Sequence, residues 1–133
     1  MIMDLDELKV YQIAQDFSEC IWVTVKGWNY FEKDTIGKQF IRAADSIAAN
    51  IAEGFGRFHY NENRQFCHYA RGSIFGTKAW LTKAFHRELI SDEQYRSLMK
   101  SIEDLSIRLN NYIQSIGHSA SAREPQSDYP TTE

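Results

Sequence analysis

Arg42, Ser46, Asn50, Glu53 and Arg57 follow one another at intervals of three or four, the spacing that lines side chains along one face of a helix. Further on, Arg64, His68, Arg71, Phe75 and Lys78 repeat the pattern. Two such stripes can do one of two things. Clustered guanidinium and ammonium groups bind phosphate, which makes Arg42, Arg57, Arg64, Arg71 and Lys78 the candidates for contact with a nucleic acid. Alternatively the polar members hold the fold together. On that reading Asp45, Ser46, Asn50, Glu53 and Ser73 are structural, and Glu53, with Asp45 nearby, is expected to pair with Arg71 or another base of the following helix. A carboxylate beside an apolar seam must find a charge or donors. The competing reading makes both stripes a solvated surface.

Catalytic patterns are missing. The sequence has no Gly-x-Gly-x-x-Gly, Walker loop, Gly-x-Ser-x-Gly or Cys-x-x-Cys, and no Glu-x-x-His of the kind a di-iron bundle uses. His59, His68, His86 and Cys67 are the metal-capable residues. They are widely spread, and the adjacent Cys67 and His68 point about 100° apart on a helix, so no metal, cofactor or small-molecule substrate is expected. The turn Phe55-Gly56-Arg57-Phe58-His59-Tyr60 has aromatic and basic groups that could stack on bases. It could equally cap the end of the core. No convergent titratable pair marks an active site, and the chain reads as a non-enzyme.

Four periodic stretches must position these groups. Leu8, Tyr11, Ala14, Ile21 and Val25, with Val10, Ile13, Phe17 and Trp22 alongside, predict a first helix from Leu5 to about Trp28. The period lapses between Gly27 and Asp34, and Asp34 or Thr35 is placed to cap the next helix. Phe40, Ala43, Ala44, Ile47, Ile51 and Phe55 form its stripe, which fades at Gly54 and Gly56, residues suited to left-handed helix ends. A third helix is predicted over 61–90, capped by Asn61, on Phe66, Ala70, Ser73, Ile74, Thr77, Leu81, Ala84 and Phe85. Ser91 and Gln94 have capping-box form. The fourth helix has an unbroken heptad seam of Tyr95, Leu98, Ile102, Leu105, Leu109, Tyr112 and Ile116.

These elements predict an all-α fold, an antiparallel up-down-up-down four-helix bundle over residues 1–117. Residues 118–133, polar and containing both prolines, are expected to be a disordered tail. The chain has 133 residues and 43% hydrophobic content, enough for one core. Its apolar runs are too short to span a bilayer, and no signal segment leads the sequence, so a cytoplasmic location without membrane contact is expected. Cys20 and Cys67 are each expected as buried free thiols. Alanines crowd the second helix, and Gly72 and Gly76 interrupt the third, where a glycine costs about 1 kcal/mol relative to alanine. A packing reason or a subunit contact should offset them. Net charge is −3, yet residues 35–90 carry eight Lys and Arg against four Asp and Glu. This basic middle could meet an anionic partner or the acidic flanks within the bundle.

Several stretches carry a family resemblance. They are Leu8-Lys9-Val10-Tyr11, then Gln39 with Arg42-Ala43-Ala44-Asp45-Ser46-Ile47-Ala48-Ala49-Asn50-Ile51-Ala52-Glu53-Gly54, and Tyr69-Ala70-Arg71-Gly72-Ser73. Through them the chain, over about residues 5 to 116, resembles the small proteins encoded within intervening sequences of bacterial 23S ribosomal RNA genes, often labelled S23 ribosomal proteins. The resemblance implies an antiparallel four-helix bundle that assembles as a ring-like homopentamer and has no established enzymatic activity. Relatives include the accessory protein of diversity-generating retroelements, which is similar in bundle and pentamer, carries a positive surface, and associates with a reverse transcriptase and nucleic acid. The chain departs from the family at Gly76, where relatives commonly place a Glu. The function expected is therefore a homo-oligomeric scaffold or interaction protein that binds RNA, or a nucleic-acid-processing protein, through its basic middle. The alternative is a protein-only partner subunit, for example of a reverse transcriptase complex, without direct nucleic-acid contact.

Overall fold

The computed structural model of the chain describes residues 3–117; the tail expected over 118–133 lies outside the described residues. Four long helices form the bundle: α1 (Lys9–Lys26), α3 (Lys38–Phe55), α4 (Tyr60–His86) and α5 (Asp92–Ser115). A single turn, α2 (Tyr30–Glu32), and a π-helical turn, Lys33–Gly37, lead into α3. Among the described residues there is no strand. Helices pack in a cycle, α1 on α3, α3 on α4, α4 on α5 and α5 on α1. Neighbours run antiparallel. Trp28 stacks on Phe40 across α1 and α3 with ring centroids 6.3 Å apart, and Phe85 stacks on Tyr95 across α4 and α5 at 4.3 Å.

The apolar periods end where they were expected to, in the core. Ala14, Phe17, Ile21 and Val25 from α1 meet Phe40, Ala44, Ile47 and Ile51 from α3, while α4 contributes Cys67, Ala70, Ile74, Thr77, Leu81 and Ala84. The heptad seam of α5 buries Leu98, Ile102, Leu105 and Leu109, with Ile116 just beyond the helix, and half-buries Tyr95 and Tyr112. Trp22 does not join them. It lies one residue beyond Ile21 on the helix, about 100° round, and is 51% exposed.

Helix boundaries differ from the sequence expectation in ways that local hydrogen bonding explains. Leu5–Glu7 is a separate 3-10 turn, closed by the Asp4 N–H donating to Glu7 Oε1 at 3.0 Å, and the extended backbone of Leu8 separates it from α1. Asn29, not Asp34 or Thr35, caps the entry to the second helix, its Oδ1 accepting from the Glu32 N–H at 3.4 Å. Asp34 pairs instead with Lys38 at 3.0 Å, and the Thr35 hydroxyl donates to the Phe31 carbonyl at 2.7 Å. The extended residue before α4 is His59, and Asn61 lies inside the first turn, where its Oδ1 accepts from Arg64 at 3.0 Å. The capping box at Ser91 forms as the pattern requires, with the Gln94 N–H donating to Ser91 Oγ at 3.0 Å and Gln94 Oε1 accepting from the Ser91 N–H at 2.9 Å.

Gly54 has a different role from the one its position near the helix end implied. It is helical and buried, without left-handed backbone, and a Cβ added there would lie 2.7 Å from Asn63 Oδ1, 2.8 Å from the Asn63 carbonyl oxygen and 3.0 Å from Phe66 Cβ. The residue lets α3 and α4 touch along their backbones. Left-handed backbone occurs instead at Glu88, with φ 62°. There the Leu89 N–H donates to the Ala84 carbonyl and the Glu88 N–H to the Phe85 carbonyl, the pair of bonds that closes a Schellman motif.

Gly54→Ala should therefore lower folding stability by about 1–3 kcal/mol, because the α4 backbone must move to admit the methyl group. Glu88→Gly should raise it by about 1 kcal/mol, since the left-handed residue then carries no Cβ. Urea denaturation measures both, with opposite signs expected for two substitutions at helix ends.

Candidate functional site

The polar stripe of α3 divides between two neighbours. Ser46 and Asn50 turn toward α4. The hydroxyls of Ser46 and Ser73 hydrogen-bond each other at 2.7 Å, Ser46 Oγ lies 2.8 Å from the Ala43 carbonyl, and Asn50 Nδ2 donates to the Ser46 carbonyl at 2.9 Å. On α4 the buried Thr77 hydroxyl donates to the Ser73 carbonyl at 2.7 Å. Each polar side chain in this seam is satisfied by its own helix or by the facing one, so the two helices remain close without orphaned groups. Ser46 and Ser73 thus link α3 to α4, while Asn50 bonds within α3.

Glu53 does not pair with Arg71. Its Oε2 accepts on the surface from Nη2 of Arg57, four residues on in the turn just past the end of α3, at 2.8 Å. The i, i+4 partner is reached without crossing to α4, and such exposed pairs contribute only about 0.2–0.5 kcal/mol. Arg57 also lies over the Phe66 ring, 4.7 Å from its centroid. Asp45 forms no ion pair among the described residues. It faces α1, where partial burial, and then the charge of Glu19, push its carboxyl above the usual 3.8.

The five basic candidates do not gather into one patch. Arg64 is half-buried and donates to the Ile116 carbonyl at 3.0 Å, which ties the start of α4 to the end of α5. Arg71 is exposed on the outer face of α4, and Lys78 on the same face lies 5.5 Å from the centroid of the Phe75 ring. Arg42 is elsewhere, in a groove between α1 and α3.

That groove was not legible from the stripes. It has a volume of about 750 Å³ and is lined by Trp22, Val25 and Lys26 of α1, Lys33 of the π turn, and Lys38, Ile41, Arg42, Asp45, Ser46 and Ala49 of α3. Its floor is apolar, and four cations stand around it, of which Lys38 is paired with Asp34. Sequence counting by segment placed Lys26 and Lys33 in the acidic first part of the chain and Trp22 in the core. The one signal available was that Trp22 and Val23 sit off the α1 stripe, and both are exposed.

Of the two cysteines, Cys67 is buried as expected and Cys20 is exposed. Burial pushes the Cys67 thiol up to about 12, and its Sγ lies 3.7 Å from Asn63 Oδ1. Among the described residues no group of three or more His, Cys, Asp or Glu is placed to hold a metal ion, and no helix is long and apolar enough to cross a membrane.

Two measurements check this electrostatic picture. A thiol reagent at pH 8 should modify Cys20 readily in the native protein and Cys67 only after denaturation, since a buried thiol offers neither access nor thiolate. Asp45 in the folded chain holds its proton more tightly than in the unfolded chain, so stability is lost as pH rises above 3.8 through the folded value. Asp45→Asn should accordingly melt above the wild type at pH 7, with the difference disappearing near pH 3.

Comparison with known proteins agrees with the architecture. A crystal structure of a protein with unknown function from the S23 ribosomal protein family, from Bacteroides thetaiotaomicron VPI-5482, superposes with a TM-score of 0.71 at 23% identity, covering 80% of this chain and 99% of that one. No match is found among curated proteins. The sequence model of the 23S rRNA-intervening sequence protein family matches residues 6–111. With that span covering the α1 to α5 bundle almost end to end, the chain belongs to the 23S rRNA-intervening sequence protein family.

Proposed function

We propose that this chain is a non-enzymatic scaffold that assembles with copies of itself through the outer face of α4 and binds RNA along the rim of that face. One observation carries the reading. Gly72 and Gly76 have no heavy atom within 4 Å of where a Cβ would lie, so nothing inside the subunit requires them to be glycine. Each still costs the helix about 1 kcal/mol relative to alanine. Beside them Phe75 is 61% and Tyr69 49% exposed. Small residues flanked by aromatic rings allow a second backbone to approach closely while the rings fill the sides of the contact.

The assembly is a closed ring, for which the family resemblance implies five copies, and it works in the cytoplasm. Arg71 and Lys78, seven residues apart on α4, lie on the same face with Phe75 between them, so in a ring their charges repeat around the assembly. Repetition turns a weakly basic surface on one subunit into a multivalent one for phosphate. A second reading is favoured by the engagement of Arg57 with Glu53 and of Arg64 with Ile116, which leaves fewer cations for phosphate. On it the chain is a protein-only partner subunit without nucleic-acid contact.

Light scattering coupled to gel filtration should show an oligomer for the wild type and a monomer for Phe75→Glu, with the circular dichroism of a folded bundle in both. A strictly monomeric wild type at micromolar concentration would sink the assembly. For RNA, binding of a labelled oligonucleotide should weaken as salt rises, and the slope of log affinity against log salt should fall by about one for each of Arg71→Ala and Lys78→Ala. Binding that ignores salt, or none at all, leaves the protein-only reading.

A further inference from the structure

We infer that the groove between α1 and α3 is a docking site for an acidic amphipathic helix of a partner protein. This rests on the scaffold reading of the chain but uses a different face from the outer side of α4. Three features of the groove select the occupant.

The first is its shape. The wall formed by α3 from Lys38 to Ala49 is about 16 Å long, and the opposite wall is the last turns of α1, so the cleft is an open trough between two helices. A third helix fits such a trough with side chains every three or four residues pointing down. The second is the floor. Trp22, Val25, Ile41 and Ala49 are apolar, and Trp22 is 51% exposed. A half-exposed tryptophan at the lip of a trough is the kind of anchor that carries binding energy at protein interfaces, and arginine is the other. The third is charge. Lys26, Lys33 and Arg42 make no ion pair among the described residues, Lys38 is paired with Asp34, and Asp45 is the one carboxylate lining the groove. The excess of cations attracts carboxylates placed on the flanks of an apolar stripe and repels a basic helix.

A single-stranded nucleic acid is a poorer match. One exposed ring offers a stack for one base, and the rest of the floor is aliphatic, where binding of a polynucleotide uses successive aromatic platforms.

The test uses a fluorescently labelled synthetic peptide of about 18 residues, with Leu at three- and four-residue intervals and Glu on both flanks. A twin peptide carries Lys in place of each Glu. Fluorescence anisotropy with the full chain should show binding of the acidic peptide and not of the basic twin. Trp22→Ala and Arg42→Glu should each weaken binding about tenfold or more, and Asp45→Asn should tighten it about threefold by removing the like charge. Circular dichroism melting confirms that each variant is folded, which the exposure of Trp22 and Arg42 favours. Equal binding of the two peptides, or indifference to Trp22→Ala and Arg42→Glu, overturns the proposal. So does displacement of the peptide by an equimolar single-stranded oligonucleotide, which would make the groove a nucleic-acid site. If Trp22→Glu turns an oligomer into a monomer, the groove is a contact between copies and the proposal also fails. Running the titration on Phe75→Glu as well as the wild type separates the two readings: loss of assembly through α4 leaves peptide binding intact, and loss of peptide binding leaves assembly intact.

Discussion

The close approach of α3 to α4 is the contact on which the rest of the bundle depends. These two helices share the most extensive contact of any pair, and they can do so because the side chains between them are small. Ala44, Ala48 and Ala70 are buried, Gly54 admits Asn63 and Phe66, and Ser46 meets Ser73. A methyl group at Gly54 would already collide with the α4 backbone. Such a seam gains dispersion from many short contacts. It gains less per residue from hydrophobic burial, because each side chain has little area to hide. Large side chains fill the core beside it, Phe40, Ile47 and Ile51 of α3 being fully buried together with Ile21, Ile74, Leu81 and, from the seam of α5, Ile102, Leu105 and Leu109.

The polar residues of α3 make their bonds within and beside the same seam. Ser46, Asn50 and Thr77 each return a hydrogen bond to a helix carbonyl, and Glu53 closes on Arg57 in the turn that follows its helix. Their hydrogen bonds go to local geometry. Asp45 differs because it faces α1 across the groove, where partial burial and Glu19 disfavour its charge. Asp45 makes no ion pair among the described residues to offset that cost.

What remains unexplained within one subunit lies on the surface in two places. On α4, Gly72 and Gly76 are open to solvent beside Phe75 and Tyr69. Between α1 and α3, an apolar floor with Trp22 at its edge is ringed by lysines and Arg42. The two places lie on different helices, the first on α4 and the second between α1 and α3.

The sequence by itself determined the helices, their order and their inward faces. Periodicity within one helix is a local property, and Leu98, Ile102, Leu105 and Leu109 are buried because they lie on one side of α5 whatever packs there. The Ser91 capping box was legible for the same reason, since both partners lie within one turn. Gly54 was misread as a helix end, because a close approach is a relation between two helices and appears in neither sequence stretch alone. The partner of Glu53 was misassigned because Arg71 is in register with it on paper, while on the helix surface Arg57 is nearer and needs no neighbour to reach it. Tertiary structure alone decided that Trp22, Lys26, Lys33 and Arg42, scattered over two helices and a π turn, border one groove. The packing of α1 on α3 places them together, with Gly37 close against Val25 and Trp28 stacked on Phe40, contacts that join residues whose spacing in the chain carries no period.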